Sequence, residues 1–146
     1  MTRLNILMRA VTMAAVLGAG SGGVALAQDD AVATRQAGMK AIGGSVRTLG
    51  NMAKGTVAFD AAAAQAALDK IAQEAALIPV HFEAEVIEGD TEAKPAIWTD
   101  WDSFVADAKA LEDAAGTATV ASADDLAPAM ATIGATCKTC HSEFRS

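Results

Sequence analysis

The stretch SADDLAPAMATIGATCKTCHSEFRS, residues 122–146, decides how this chain is read. Its apolar residues Leu126, Met130, Ile133, Cys137, Cys140 and Phe144 recur at alternating steps of three and four, the period of a helix with one face on a core. Ser122 to Asp125 offers the polar residues that open a helix, and Pro128 falls near the first turn, where proline is tolerated. The pentapeptide Cys137-Lys138-Thr139-Cys140-His141 lies at the far end of the same helix and contains both cysteines of the chain.

On a helix, positions i, i+3 and i+4 share a face, so the two sulfurs and the imidazole point the same way. Two thiols so placed reach the two vinyl-derived carbons of one haem edge, and the next side chain then aims a nitrogen at the iron. C-x-x-C-H is the attachment pattern of c-type haem, and one covalent haem c is expected. A thioredoxin-like C-x-x-C belongs at a helix N-terminus, where the dipole lowers a thiol pKa, and within a βαβ pattern. Neither holds here. Zinc would need a fourth ligand, and His81 is the only other histidine. A plain disulfide leaves His141 without a role.

Working outward, three further segments show the same period. The first runs from about Asp30 to Lys54, with Val32, Met39, Ile42, Val46, Leu49 and Ala53 in one stripe; Asp29 or Asp30 is its expected cap and Gly55 its stop. The second runs from the N-cap Asp60 to Ile78, with Ala64, Leu68, Ile71, Ala75 and Ile78 inward, and Pro79 is expected to end it. An acidic loop, Val80 to Lys94, leads to a third helix that opens at Pro95, carries Ile97, Trp101, Phe104, Ala108 and Leu111, and stops before Gly116. Four amphipathic helices with mostly short connections predict an all-α, antiparallel up-down-up-down four-helix bundle enclosing one haem. Gly43-Gly44 fits a helix interior poorly, at about 1 kcal/mol each relative to alanine. It is read either as a tolerated weak spot or as a place of close approach for a cofactor or a second subunit.

Residues 1–27 read as a cleaved export signal. Arg3 and Arg9 form a basic start, Ala10 to Leu17 is apolar apart from Thr12, and Ala25-Leu26-Ala27 is a small-residue cleavage site before Gln28. The apolar run is short for a bilayer span of roughly 20 residues, so no membrane insertion is expected after cleavage, and the periplasm is the expected location. Residues 28–146 are then a single domain. The 146 residues carry a formal charge of −7, and loss of the two basic residues of the signal leaves about −9. Such a charge excludes nucleic acid and anionic lipid as natural partners and favours a basic or neutral docking surface on redox partner proteins.

The sixth iron position has four candidate ligands upstream: Met39, Met52, His81 and Met130. Met130 shares a helix with His141, about 16 Å away, and Met52 lies about 20 Å further along the first helix than Met39 does. His81 sits in the acidic loop, where a solvated role is expected. Met39, one to two turns further from the bundle end than His141, is the geometric choice. Its alternative is an ordinary core methionine.

Three stretches together resemble the class II c-type cytochromes, the cytochrome c′ family: Arg35-Gln36-Ala37-Gly38-Met39-Lys40, Lys94-Pro95-Ala96-Ile97-Trp98, and Ile133 to Arg145 with its C-x-x-C-H. The resemblance implies that Arg35 and Gln36 lie near the haem propionates and that Met39 stands where low-spin members supply a sixth ligand. It also implies that Arg145 lies near the proximal imidazole, and that a homodimer forms through the first two helices. The expected function is electron transfer by a six-coordinate periplasmic cytochrome. The alternative is a five-coordinate protein binding nitric oxide or carbon monoxide. No enzymatic role is expected, since peroxide cleavage wants a distal acid–base pair that the first helix does not offer near Met39.

Overall fold

The computed structural model describes residues 22–146, so residues 1–21 of the expected export signal lie outside the described residues. Helices α1 (Gly22–Ala53), α2 (Ala61–His81), α4 (Trp101–Gly116) and α5 (Leu126–Phe144) form the antiparallel bundle, with a single-turn α3 (Ala96–Thr99) ahead of α4. Each long helix packs on its neighbours in sequence, and α5 closes the ring against α1. Among the described residues no helix is long and apolar enough to cross a membrane.

The boundaries follow from local chemistry. Asp60 caps α2 by accepting the Ala63 N–H at 2.9 Å. Gly55, at φ 67°, turns the chain out of α1, with its N–H on the Met52 carbonyl and the Thr56 N–H on Asn51. Ahead of α5, the Asp125 carboxylate accepts the N–H and the hydroxyl of Ser122, both at 2.8 Å. The predicted stripes form the core. Leu49, Leu68, Ile71, Ile97, Leu126 and Ile133 are its fully buried large side chains, and aromatic rings of Phe82, Phe104 and Phe144 fill the end that bears the motif.

Four expectations need correction. α1 begins at Gly22 and runs on through positions 29 and 30, so the helix does not open there; alanine and leucine in the preceding stretch continue a helix at little cost. Met52, not Ala53, enters the core at the end of α1, because a straight helix drifts against a strict seven-residue repeat. Pro79 lies inside α2, which continues to His81. A proline in the last turn forfeits one backbone bond, and the turn is held by the Phe82 N–H on Ile78 and by Arg35 on the His81 carbonyl. The third helix is broken at Asp100, which adopts φ −131° and ψ 55°. The Thr99 hydroxyl beside it bonds back to the Pro95 and Ala96 carbonyls, the competition by which such residues loosen helices.

Candidate haem site

Cys137, Cys140 and His141 occupy the last two turns of α5, all half-buried, with both thiols free. Burial raises the Cys137 thiol above its usual range, and burial aided by Asp107 and Cys137 pushes Cys140 up to about 11. These are protonated thiols, unlike the thiolates of a redox-active pair. Burial, then the neighbouring Arg145 guanidinium, lowers His141 against an opposing pull from Glu92. A neutral imidazole with a free lone pair is the form that binds iron.

The facing helix is set in register by a contact near the other end. A Cβ on Gly50 would stand 3.9 Å from the Met130 methyl group, so α1 and α5 run past one another with these residues opposed. Met39 precedes Gly50 by as many residues as His141 follows Met130. Equal rise along both helices brings Met39 level with His141, to within about a turn, closer than the offset expected from sequence. At this level the bundle is incompletely covered. Met39 and Val46 on α1 and Cys137 and Cys140 on α5 are half-buried, whereas Leu49, Ile133 and Phe144 beyond them are buried. Two free thiols, a neutral imidazole, an opposed thioether and an apolar strip between two helices fit a haem.

The other candidate ligands lie elsewhere. Met52 is buried in the core toward the opposite end, and Met130 packs on Gly50. His81 is not a solvated loop residue. It closes α2 and lies half-buried on the α1–α2 seam, its Nδ1 3.5 Å from where a Gly38 Cβ would sit, with the Glu74 carboxylate at 3.3 Å from the same point.

Arg35 has a role the sequence did not disclose. It is 4% exposed, and its guanidinium donates to three carbonyls, from Nε to His81 at 3.0 Å, Nη1 to Val86 at 2.8 Å and Nη2 to Ala84 at 2.6 Å. It also lies over the Phe82 and Trp98 rings, 4.5 and 5.4 Å from their centroids. Gln36 donates to the Asp90 carbonyl at 2.8 Å. Both residues thus fasten the 82–95 loop to α1. The loop is fastened to α5 as well. The Lys94 N–H donates to the Phe144 carbonyl, the Ser146 N–H to Glu92, and Arg145 forms an ion pair with the Glu92 carboxylate. Glu92 is one of the acids of this loop, and its pairing across the tail steadies the chain immediately after His141.

The family model described as cytochrome C′ matches residues 30–145. The chain belongs to the cytochrome c′ family. It is 38% identical over 143 residues to a cytochrome c′ of Rhodopseudomonas palustris, covering 95% of this chain and 97% of that one. It is 36% identical over 141 residues to a cytochrome c-556 of Agrobacterium fabrum, covering 94% and 95%. The solved structure of a cytochrome c′ from Rhodopseudomonas palustris superposes with a TM-score of 0.76 at 33% identity, over 80% of this chain and 96% of that one. This cytochrome therefore carries haem c and transfers electrons, and its bundle is the one the helix stripes predict.

Proposed function

We propose that this cytochrome is a six-coordinate periplasmic electron carrier, in which Cys137 and Cys140 hold the haem edge and His141 and Met39 bind the iron. The proposal is carried by the Gly50–Met130 contact, from which equal helical rise puts Met39 at about the level of His141, and by the half-burial of both side chains. The haem supplies a one-electron couple when bound; thioether ligation raises its potential. The residues of the chain supply the rest. Burial favours the neutral form of His141, and packing of α5 on α1 would hold His141 and Met39 in place as ligands to the haem iron when it is bound. The Glu92–Arg145 pair, the Lys94–Phe144 bond and the Arg145 N–H on the His141 carbonyl hold the turn after His141.

Arg35 is proposed to lie beside a haem propionate as well as clamping the loop. Among the described residues no carboxylate pairs with this buried cation, and two of its five N–H groups remain after its three carbonyl bonds. Gln36 is proposed to border the same edge. Residues 1–27 are proposed to be the cleaved export signal, which delivers the chain to the compartment where thioether attachment is completed. Gly43 and Gly44 are exposed, and among the described residues nothing beyond the backbone of α1 itself comes within 4 Å of a side chain added there, which leaves that face of α1 open to a second copy. A five-coordinate, gas-binding protein is the second reading, because half-burial of Met39 also suits a methionine that packs on the haem without bonding.

The optical spectrum of the reduced holoprotein separates the two. Sharp low-spin α and β bands that become a broad high-spin spectrum in Met39→Ala support six-coordination. A high-spin wild type that takes up carbon monoxide at once removes Met39 as a ligand.

A further inference from the structure

At the end of the bundle that holds the motif, a groove of about 470 Å³ is lined by Pro79, Val80, Glu83, Trp98 and Trp101. A second concavity shares Val80 and Glu83 with it and adds Asp30, Ala31, Thr34, His81 and Ala84. Exposed apolar side chains stand where the two concavities meet, beside the Glu83 carboxylate. Val80 is 63% exposed, and Leu77 one turn earlier is 42% exposed. Among the described residues no lysine or arginine lines either concavity. Acidic residues do, or adjoin them: Asp30, Glu83, Glu85, Asp100 and Asp102 are all exposed, and among the described residues none has a cationic side chain within ion-pair distance.

The groove floor is joined to the haem-bearing end of α5 by stacked rings. Trp101 packs on Phe104 with centroids 5.6 Å apart, and Phe104 meets Phe144 edge-on at 5.3 Å. Phe144 lies one turn beyond Cys140, about 6 Å along the helix. The Trp98 indole N–H is fixed to the Phe82 carbonyl at 2.8 Å, and Arg35 stacks on the same indole, so the aromatic wall is held in place before any partner arrives.

From these observations, and resting on the electron-carrier reading, we infer that the Val80–Trp101 groove is the docking face for a basic redox protein. Its occupant is a partner surface with an apolar centre ringed by lysine or arginine. The apolar floor with fixed aromatic side chains suits the desolvated centre of such an interface. The unpaired carboxylates around it supply the steering that makes electron-transfer encounters fast at low salt. The bound partner gives or takes one electron, with no bond made or broken, at the end of the bundle where Trp101, Phe104 and Phe144 connect the groove to the Cys140 turn of α5.

The test is an amide NMR titration of labelled holoprotein with lysine-rich mitochondrial cytochrome c as the probe. Shifts are expected at Val80, Glu83 and Trp101 at low salt, fading as salt rises, and Glu83→Lys combined with Asp102→Lys is expected to weaken binding about tenfold or more. Shifts centred on another face, or no binding at low salt, overturn the docking site. So do groove signals that move when the concentration of this protein alone is raised, because a second copy then covers the face. Voltammetry of the same sample keeps the two layers apart. Reversible cycling without groove shifts removes the docking site alone, whereas a holoprotein that does not cycle removes the carrier reading and the docking site with it.

Discussion

Replacing Arg35 tests whether the loop beside the haem site is held by one buried cation. Arg35→Leu removes three charge-assisted hydrogen bonds and the stacking on Phe82 and Trp98. Hydrogen bonds to a charged group contribute about 1.5–3 kcal/mol each, which sets an upper bound of roughly 9 kcal/mol for the three. Much of this is recovered in the variant. Ala84 is exposed and its carbonyl rehydrates, and the desolvation cost of the guanidinium, which already lowers its pKa, disappears. A loss of about 3–4 kcal/mol is expected, in line with the removal of one partner from a buried charged network. Arg35→Lys is expected to recover less than half of it, since an ammonium lacks the planar fork that reaches three carbonyls at once. Urea denaturation of the holoprotein, followed by far-ultraviolet circular dichroism, gives the stability. Hydrogen exchange at residues 82–94 shows whether the loop opens first. If Arg35→Leu unfolds within about 0.5 kcal/mol of the parent, the size of an ordinary surface substitution, and the loop amides exchange no faster, the clamp does not exist.

Two further perturbations probe the scaffold. Phe104 is buried against Phe82, Trp101 and Phe144, so Phe104→Ala is expected to cost about 3–5 kcal/mol in the same denaturation assay. Asp125 is held below the usual carboxylate range by the hydroxyl and N–H of Ser122, with Ala121 adding a further N–H. A carboxyl whose folded pKa is depressed stabilises the fold above its unfolded pKa, and that stability is lost as pH falls through the folded pKa. Ser122→Ala is therefore expected to lower Tm at pH 7, with the difference from the parent shrinking below about pH 4. An equal difference at pH 3 contradicts the assignment.

The four long helices were legible because their apolar residues repeat with the helix period and because Asp60, Gly55 and Ser122–Asp125 are chemically unambiguous ends. The attachment motif was legible for a related reason: the spacing of Cys137, Cys140 and His141 has meaning only on one helix face. What escaped is decided by tertiary contact. In the sequence Arg35 is a helix cation that resemblance places near the haem propionates, and its clamp on the carbonyls of His81, Ala84 and Val86 emerges only once those residues are placed around it. His81 reads as a loop residue until Pro79 is found inside α2, a position made tolerable by bonds from elsewhere in the fold. The break at Asp100 is invisible to periodicity, because Ile97, Trp101 and Phe104 keep their stripe across it. Likewise nothing in the sequence of Glu92 distinguishes it from the other acids of its loop; its pairing with Arg145 exists only because the loop and the chain tail lie side by side.

The central claim is that the sulfur of Met39 bonds the iron opposite His141. Only three methionines, Met39, Met52 and Met130, follow residue 27, so methyl-labelled methionine NMR of the reduced holoprotein resolves them singly. One methyl signal displaced far upfield by the porphyrin ring current, and missing from Met39→Leu, is the predicted result. If all three methyl groups resonate in the ordinary range, the sixth position is not held by Met39 and the six-coordinate carrier is contradicted.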